Sequence, residues 1–184
     1  MNNKIVGNNY ERECAKRLSE WLTGSKEKLV CWRDVSSGTL STVRKNKNML
    51  TAGMSGDFQC LDPEYISFFN KFYVDSKSLT KINLLMINKK NQKSNKLLNE
   101  WIKVCEDSWK NDKIAMMLVK VRDNKSISDF IMLSPFNINL SAIISNKICS
   151  YIDYYFKFDT INQYDFKIFM QDEFFSKVDW KSLI

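Results

Sequence analysis

The reading turns on Ser55-Gly56-Asp57-Phe58, followed eighteen residues beyond its aspartate by Asp75-Ser76-Lys77. A lone acid opens one apolar run, and an Asp-x-Lys closes the next. Side chains alternate faces along a strand, so Asp75 and Lys77 share one face and Ser76 takes the other. If Asp57 leads an adjacent strand, two carboxylates and one ammonium converge on a single spot. Two hard oxygen donors suit Mg²⁺, which prefers a few carboxylates plus waters to a closed protein cage. Such an ion activates water and neutralises charge growing on a phosphate, while the lysine orients the water or holds the anion. Asp-x-Lys alone is a short pattern, and Asp123-Asn124-Lys125 repeats it in a turn-like stretch.

The preceding residues extend the pattern. Gly7-Asn8-Asn9-Tyr10-Glu11-Arg12-Glu13 opens a helix whose apolar residues Cys14, Ala15, Leu18, Trp21 and Leu22 recur at helical spacing. Val30-Cys31-Trp32-Arg33 is a short apolar run. A polar loop follows, containing Ser36-Ser37-Gly38-Thr39 and Thr42-Val43-Arg44-Lys45. In this order the elements resemble the PD-(D/E)xK nuclease superfamily, in particular archaeal Holliday-junction resolvases and a related group of phage-encoded nucleases. Those proteins share a Gly-x-x-x-Glu-Arg helix, a strand, a Ser-Gly loop, a Gly-Asp strand and an acidic-x-Lys strand. The resemblance covers residues 7 to 78. The run Trp-Arg, Ser-Gly, Thr-x-Arg, Gly-Asp, Asp-Pro-Glu looks especially like the phage group. One departure is Asp75, where the family usually has the longer glutamate.

The resemblance implies an α/β fold with a restriction-endonuclease-like core, a central mixed β-sheet flanked by helices. It implies a single nuclease domain over 1–184, with the motif core in 7–121 and support or dimerisation elements in 122–184. Carried over by position, it makes Glu11, Asp57, Asp75 and Lys77 the catalytic set. Mg²⁺, with Mn²⁺ as a substitute, would lie at Asp57, Asp75, Ser76 and Glu11. Ser37 and Gly38 would meet a DNA phosphate near the site.

Each residue also has a plainer reading. Gly-Asp is common in turns. Asp75 and Lys77 could be an exposed pair on an edge strand, where lysine is common. Glu11 could complement a helix dipole, and Ser36-Ser37-Gly38 could be a flexible connection. All four would have to hold at once, in family order, for the nuclease reading to fail.

Composition removes several alternatives. The chain has 184 residues and no histidine, which eliminates histidine triads, Cys-His nucleophiles and His-based metal sites together. A hydrophobic content of 44% with two prolines and five glycines fits one folded domain rather than a linker-rich chain. The five cysteines are scattered and odd in number, without Cys-x-x-Cys, and read as buried thiols. No apolar signal segment opens the chain and no run reaches membrane-spanning length. The expectation is a cytoplasmic protein of a bacterial or phage-infected cell.

Charge locates the polyanion. Net charge is +7 and pI about 9.1. From Val35 to Gly56 there are bases (Arg44, Lys45, Lys47) and no acid. From Ser76 to Asn99 there are Lys77, Lys81, Lys89, Lys90, Lys93 and Lys96, again with no acid. Of these, Arg44, Lys45, Lys47, Lys81, Lys89, Lys90 and Lys93, with Arg33 and the loop residues Ser37 and Gly38, form the expected DNA-binding set, giving affinity through phosphates rather than bases. A solvated lysine-rich surface accounts for part of that basicity. Residues 151–184 carry more acids than bases, so phosphate is not expected there.

The rest reads as scaffold. An apolar stripe predicts a helix over 94–111, and Ile114 to Val121 suits a buried central strand. Strands are predicted at Asp129–Leu133 and Phe166–Met170, with a helix starting at Gln171. Asn139–Tyr155 reads as a possible helix with an ambiguous aromatic end. The function expected is an Mg²⁺-dependent endonuclease on DNA, with branched junctions favoured and a homodimer to make paired cuts. A restriction-like or repair endonuclease on duplex or flapped DNA is the alternative, and an inactive DNA-binding module a third.

Overall fold

Ile114–Val121 has the most continuous apolar run in the chain, and it forms the strand around which the fold is built. The computed structural model describes residues 3–33, 54–80, 82, 95–122, 129–136, 138, 151–154 and 164–184. Element order is α1 (Asn3–Thr23), β1 (Cys31–Arg33), β2 (Met54–Ser55), β3 (Phe58–Cys60), α2 (Ile66–Lys71) and β4 (Phe72–Leu79). Then come α3 (Lys96–Lys110), β5 (Ile114–Val121), β6 (Phe130–Leu133), β7 (Tyr151–Tyr154), β8 (Phe166–Met170) and α4 (Gln171–Lys177), and a 3-10 turn spans Trp180–Leu183.

A five-stranded mixed sheet runs in the order β4-β5-β6-β8-β7, and a separate three-stranded sheet runs β1-β3-β2. β4 and β5 are parallel with Asp75 opposite Met117 and Lys77 opposite Val119. All other pairs are antiparallel. The α/β arrangement around a mixed sheet follows the sequence expectation.

Alternation sorts the strand residues into two cores. Phe72, Val74, Met116, Leu118, Ile131 and Phe169 join Tyr10, Cys14 and Leu18 of α1, Phe68 of α2 and Phe174 of α4. Tyr73, Leu79, Met117, Val119, Met132 and Ile168 join Leu97, Leu98, Trp101 and Val104 of α3. The large sheet is therefore covered by α1, α2 and α4 on one face and by α3 on the other. Asn95 starts α3 by accepting the N–H groups of Leu97 and Leu98 at 3.0 and 3.4 Å, an N-cap that fixes its first turn.

The C-terminal elements close on α1. Trp21 Nε1 donates to Val178 O at 2.7 Å and Trp180 Nε1 to Leu22 O at 2.9 Å. The buried Gln171 amide donates to Tyr10 Oη at 2.8 Å and to Phe130 O at 3.1 Å, tying α4 to α1 and the sheet.

Two expectations are corrected. The first helix begins at Asn3, so Gly7 lies inside it rather than opening it, where a Cβ would meet nothing within 4 Å. Tyr151–Tyr154 is a strand beside β8 instead of a helix end, with Ile152 opposite Ile168. Its aromatic and β-branched residues suit that pairing. Residues 139–150 lie outside the described residues. Cys14, Cys31, Cys60 and Cys105 are buried free thiols, as expected, and Cys149 lies outside the described residues. Among the described residues no helix is long and apolar enough to cross a membrane.

Candidate active site

The site begins at a turn. Gly56 and Asp57 connect β2 and β3 with Ser55 opposite Phe58, a two-residue hairpin loop. Gly56 has φ +62° and Asp57 does not share the left-handed region, the pattern of a II′ turn with glycine first. A second requirement bears on the same residue: a Cβ there would lie 2.2 Å from Val74 O. Only glycine lets the hairpin tip reach β4 this closely.

β4 is an outer strand of its sheet, so the main-chain groups on its far side need partners. Asp57 supplies two of them. Its N–H donates to Val74 O at 3.1 Å. Its Oδ2 accepts the Ser76 N–H at 2.9 Å and the Ser76 hydroxyl at 3.1 Å. Asp57 is thus a turn residue and a site residue at once, with 9% exposure. It precedes β3 instead of lying within the strand, and the two carboxylates come from different sheets.

Asp75 and Lys77 project to the α3 side of β4, while Ser76 takes the α1 side, as alternation requires. Lys77 Nζ stands 2.7 Å from Asp75 Oδ1. Its approach falls outside hydrogen-bond geometry, so this buried oxygen has a cation beside it and no aligned donor. Burial, and after it the Asp57 carboxylate, push the Asp75 pKa well above the usual carboxylate range, and Lys77 opposes them only in part. For Lys77, burial works against the charged form, but the Asp75 and Asp57 carboxylates outweigh it and raise its pKa to about 12. The lysine is a fixed cation at neutral pH.

Those features match what a hard divalent cation needs. Asp57 and Asp75 offer oxygen donors, their mutual repulsion would be relieved by positive charge, and Asp75 Oδ1 has no donor to give up. Among the described residues no third acidic or thiol side chain completes a metal cluster. Glu100 of α3 is the acid that sequence reasoning passed over; its charge contributes to holding Lys77 protonated. The signal was present, since Glu100 flanks the stripe of Leu97, Trp101 and Val104 that packs on the sheet.

Glu11 is not gathered with this pair. It lies on α1, across β4 from Asp75 and Lys77, in an ion pair with Arg33 Nε. Asn8 Oδ1 accepts from Arg33 Nη2 at 2.8 Å. Arg33 is opposite Phe58 in the β1–β3 ladder, one residue from Asp57, so this cluster borders the turn from the α1 side. Ser37, Gly38, Arg44, Lys45, Lys47, Lys81, Lys89, Lys90 and Lys93 lie outside the described residues.

No curated protein and no solved structure matches the chain. A family profile does, over residues 2–184. With a Gly-Asp turn docked on an Asp-x-Lys strand, the chain belongs to the phage putative PDDEXK endonuclease family.

Proposed function

We propose that the chain is a metal-dependent endodeoxyribonuclease that uses Mg²⁺, or Mn²⁺ in its place, and favours branched DNA such as four-way junctions. The observation that carries the reading is the approach of Asp57 and Asp75 at the open edge of β4, with Lys77 beside a buried carboxylate oxygen that lacks a donor. Asp57 and Asp75 would hold the ion. When bound, it would activate water and neutralise charge developing on the scissile phosphate.

The chain's own groups do the remainder. Gly56 lets the turn close on Val74, and that contact sets where Asp57 stands. Ser76 holds one Asp57 oxygen with two donors and so fixes the carboxylate's rotation. Lys77, cationic at working pH, offers a pre-placed charge for the phosphate oxygens or the attacking water. The acid-free segments with Arg44, Lys45, Lys47, Lys81, Lys89, Lys90 and Lys93 would supply phosphate contacts around it. A symmetric homodimer, acting in the cytoplasm of the host cell, would provide the paired incisions that a junction needs.

The test is Mg²⁺-dependent nicking of a substrate panel comprising a four-way junction, a flap, linear duplex and single strand. Junction preference is expected. Preferential duplex or flap cutting would replace the junction reading with a restriction-like or repair activity. Tight binding without cleavage in Mg²⁺ and Mn²⁺ would overturn the enzymatic reading.

A further inference from the structure

Asn8 and Glu11 lie three residues apart on α1, on one face of the helix, and converge on a single guanidinium. The Glu11 carboxylate takes Nε of Arg33 and the Asn8 amide oxygen takes Nη2 at 2.8 Å. The ion pair is largely shielded, with 17% exposure for the Glu11 side chain and 19% for Arg33. Neither contact uses Nη1. Because β1 pairs Arg33 with Phe58, the arginine's backbone lies beside the Asp57 turn while its guanidinium reaches to α1. Asp75 and Lys77 face α3, on the other side of β4. The two clusters therefore border the same hairpin tip from opposite faces, each with its own carboxylate.

Resting on the nuclease reading, we propose that Glu11 and Asn8 are positioning residues that hold Arg33 for a DNA backbone phosphate beside the Asp57 turn, and that Glu11 is not a metal ligand. A free arginine side chain has many rotamers to lose on binding. Two acceptors, one on Nε and one on Nη2, restrict both position and rotation, so less remains to be lost when an anion arrives. The end of the fork bearing Nη1 is then presented for a bidentate contact to phosphate oxygens. The Glu11 carboxylate meets Nε on the α1 side, across the strand from Asp75, and among the described residues no third acid joins Asp57 and Asp75 in a metal cluster.

The discriminating measurement is DNA affinity without any divalent ion. Binding of a four-way junction and a duplex is titrated in EDTA over a range of KCl for wild type, Glu11→Gln, Asn8→Ala, Arg33→Ala and the doubles Glu11→Gln/Arg33→Ala and Asn8→Ala/Arg33→Ala. Each single change is expected to weaken binding about tenfold, the scale of one charge-assisted hydrogen bond. Arg33→Ala should also lower the salt slope by about 0.9, one phosphate contact. In the Arg33→Ala background the Glu11 and Asn8 changes should add nothing, because they act through the arginine. Mn²⁺ titration of the Glu11→Gln protein should match wild type, and Asp75→Asn should not.

The proposal is overturned if Glu11→Gln weakens Mn²⁺ binding as Asp75→Asn does. It is also overturned if the Glu11 effect on DNA appears only with a divalent ion, or adds fully to Arg33→Ala. Melting curves identify any variant that does not fold, and Asn8→Ala then carries the same cycle without disturbing the acid. Loss of the wider nuclease reading would show separately, as Asp75→Asn protein that cuts normally while the EDTA cycle stands.

Discussion

One oxygen of Asp57 accepts both the main-chain N–H and the hydroxyl of Ser76, so the hairpin turn of the small sheet caps part of the edge of the large one. The same carboxylate raises the pKa of Asp75 next along the strand. Structural closure and charge crowding are therefore produced by one side chain, and variants at the turn and at the strand should separate the two.

Gly56→Ala should damage the edge contact first. The added Cβ would lie 2.2 Å from Val74 O, at a backbone φ of +62° that alanine rarely adopts. The hairpin tip must lift, at a cost of about 1–3 kcal/mol for the backbone strain alone. Urea unfolding should show that loss of stability, and cleavage should fall with it. Gly7→Ala, where a Cβ meets nothing within 4 Å, should keep both.

Asp75→Asn should raise thermal stability without metal while abolishing cleavage. The sign follows from the raised pKa. Above the ordinary value of 3.8 the native state holds its proton more tightly than the unfolded chain, so this group's contribution to stability falls as pH rises through its native pKa. An amide removes that penalty, and Tm at pH 7 should rise by a few degrees. Saturating Mn²⁺ should stabilise wild type, by about 2.7 kcal/mol at a hundredfold excess over Kd, and leave the variant unmoved. Scanning calorimetry with and without Mn²⁺ checks both halves.

Lys77→Ala should lower kcat by roughly 10²–10³, the cost of removing one pre-placed donor from a developing anion. KM for DNA should change little, since a single shielded lysine contributes a small part of phosphate binding. Steady-state nicking rates resolve the two parameters. A variant with unchanged kcat would exclude Lys77 from the reacting centre.

Lys113 gives a pH signature remote from the site. Its Nζ donates to Phe69 O at 2.7 Å, and burial lowers its pKa to about 8. Between about 8 and its ordinary 10.5 the unfolded chain binds more protons than the native one, so this group adds stability as pH rises. Lys77, with its pKa raised to about 12, contributes the opposite slope only above 10.5. The thiols of Cys14, Cys31, Cys60 and Cys105, pushed up by burial, contribute the opposite slope around pH 9, so Lys113→Met should make stability seen by urea unfolding fall more steeply between pH 8 and 10.

Much of this geometry is legible in local sequence. The convergence of Asp57, Asp75 and Lys77 rests on a period-two alternation and on one glycine, both visible in a few residues. The stripe of α3 and the apolar run of β5 are equally local. What escaped is the third dimension. The Gly-x-x-x-Glu pattern identifies the helix that bears Glu11 but not the sheet face it packs on, and that face gives Glu11 to Arg33. Tyr151–Tyr154 reads as an ambiguous aromatic segment until β8 provides a partner ladder. Glu100 looks like any acid on a helix margin until β4 brings Lys77 beneath it.

The division of the site between two sheets also sets a timetable. Asp57 needs β4 to hold it, and β4 in turn pairs in parallel with β5, whose last residue is Val121. A nascent chain emerging from the ribosome cannot join those strands until residue 121 is clear, long after both aspartates have been made. Synthesis thus makes both acids well before the site that gathers them, and a fragment ending before residue 121 would carry the aspartates without the paired strands that bring them together.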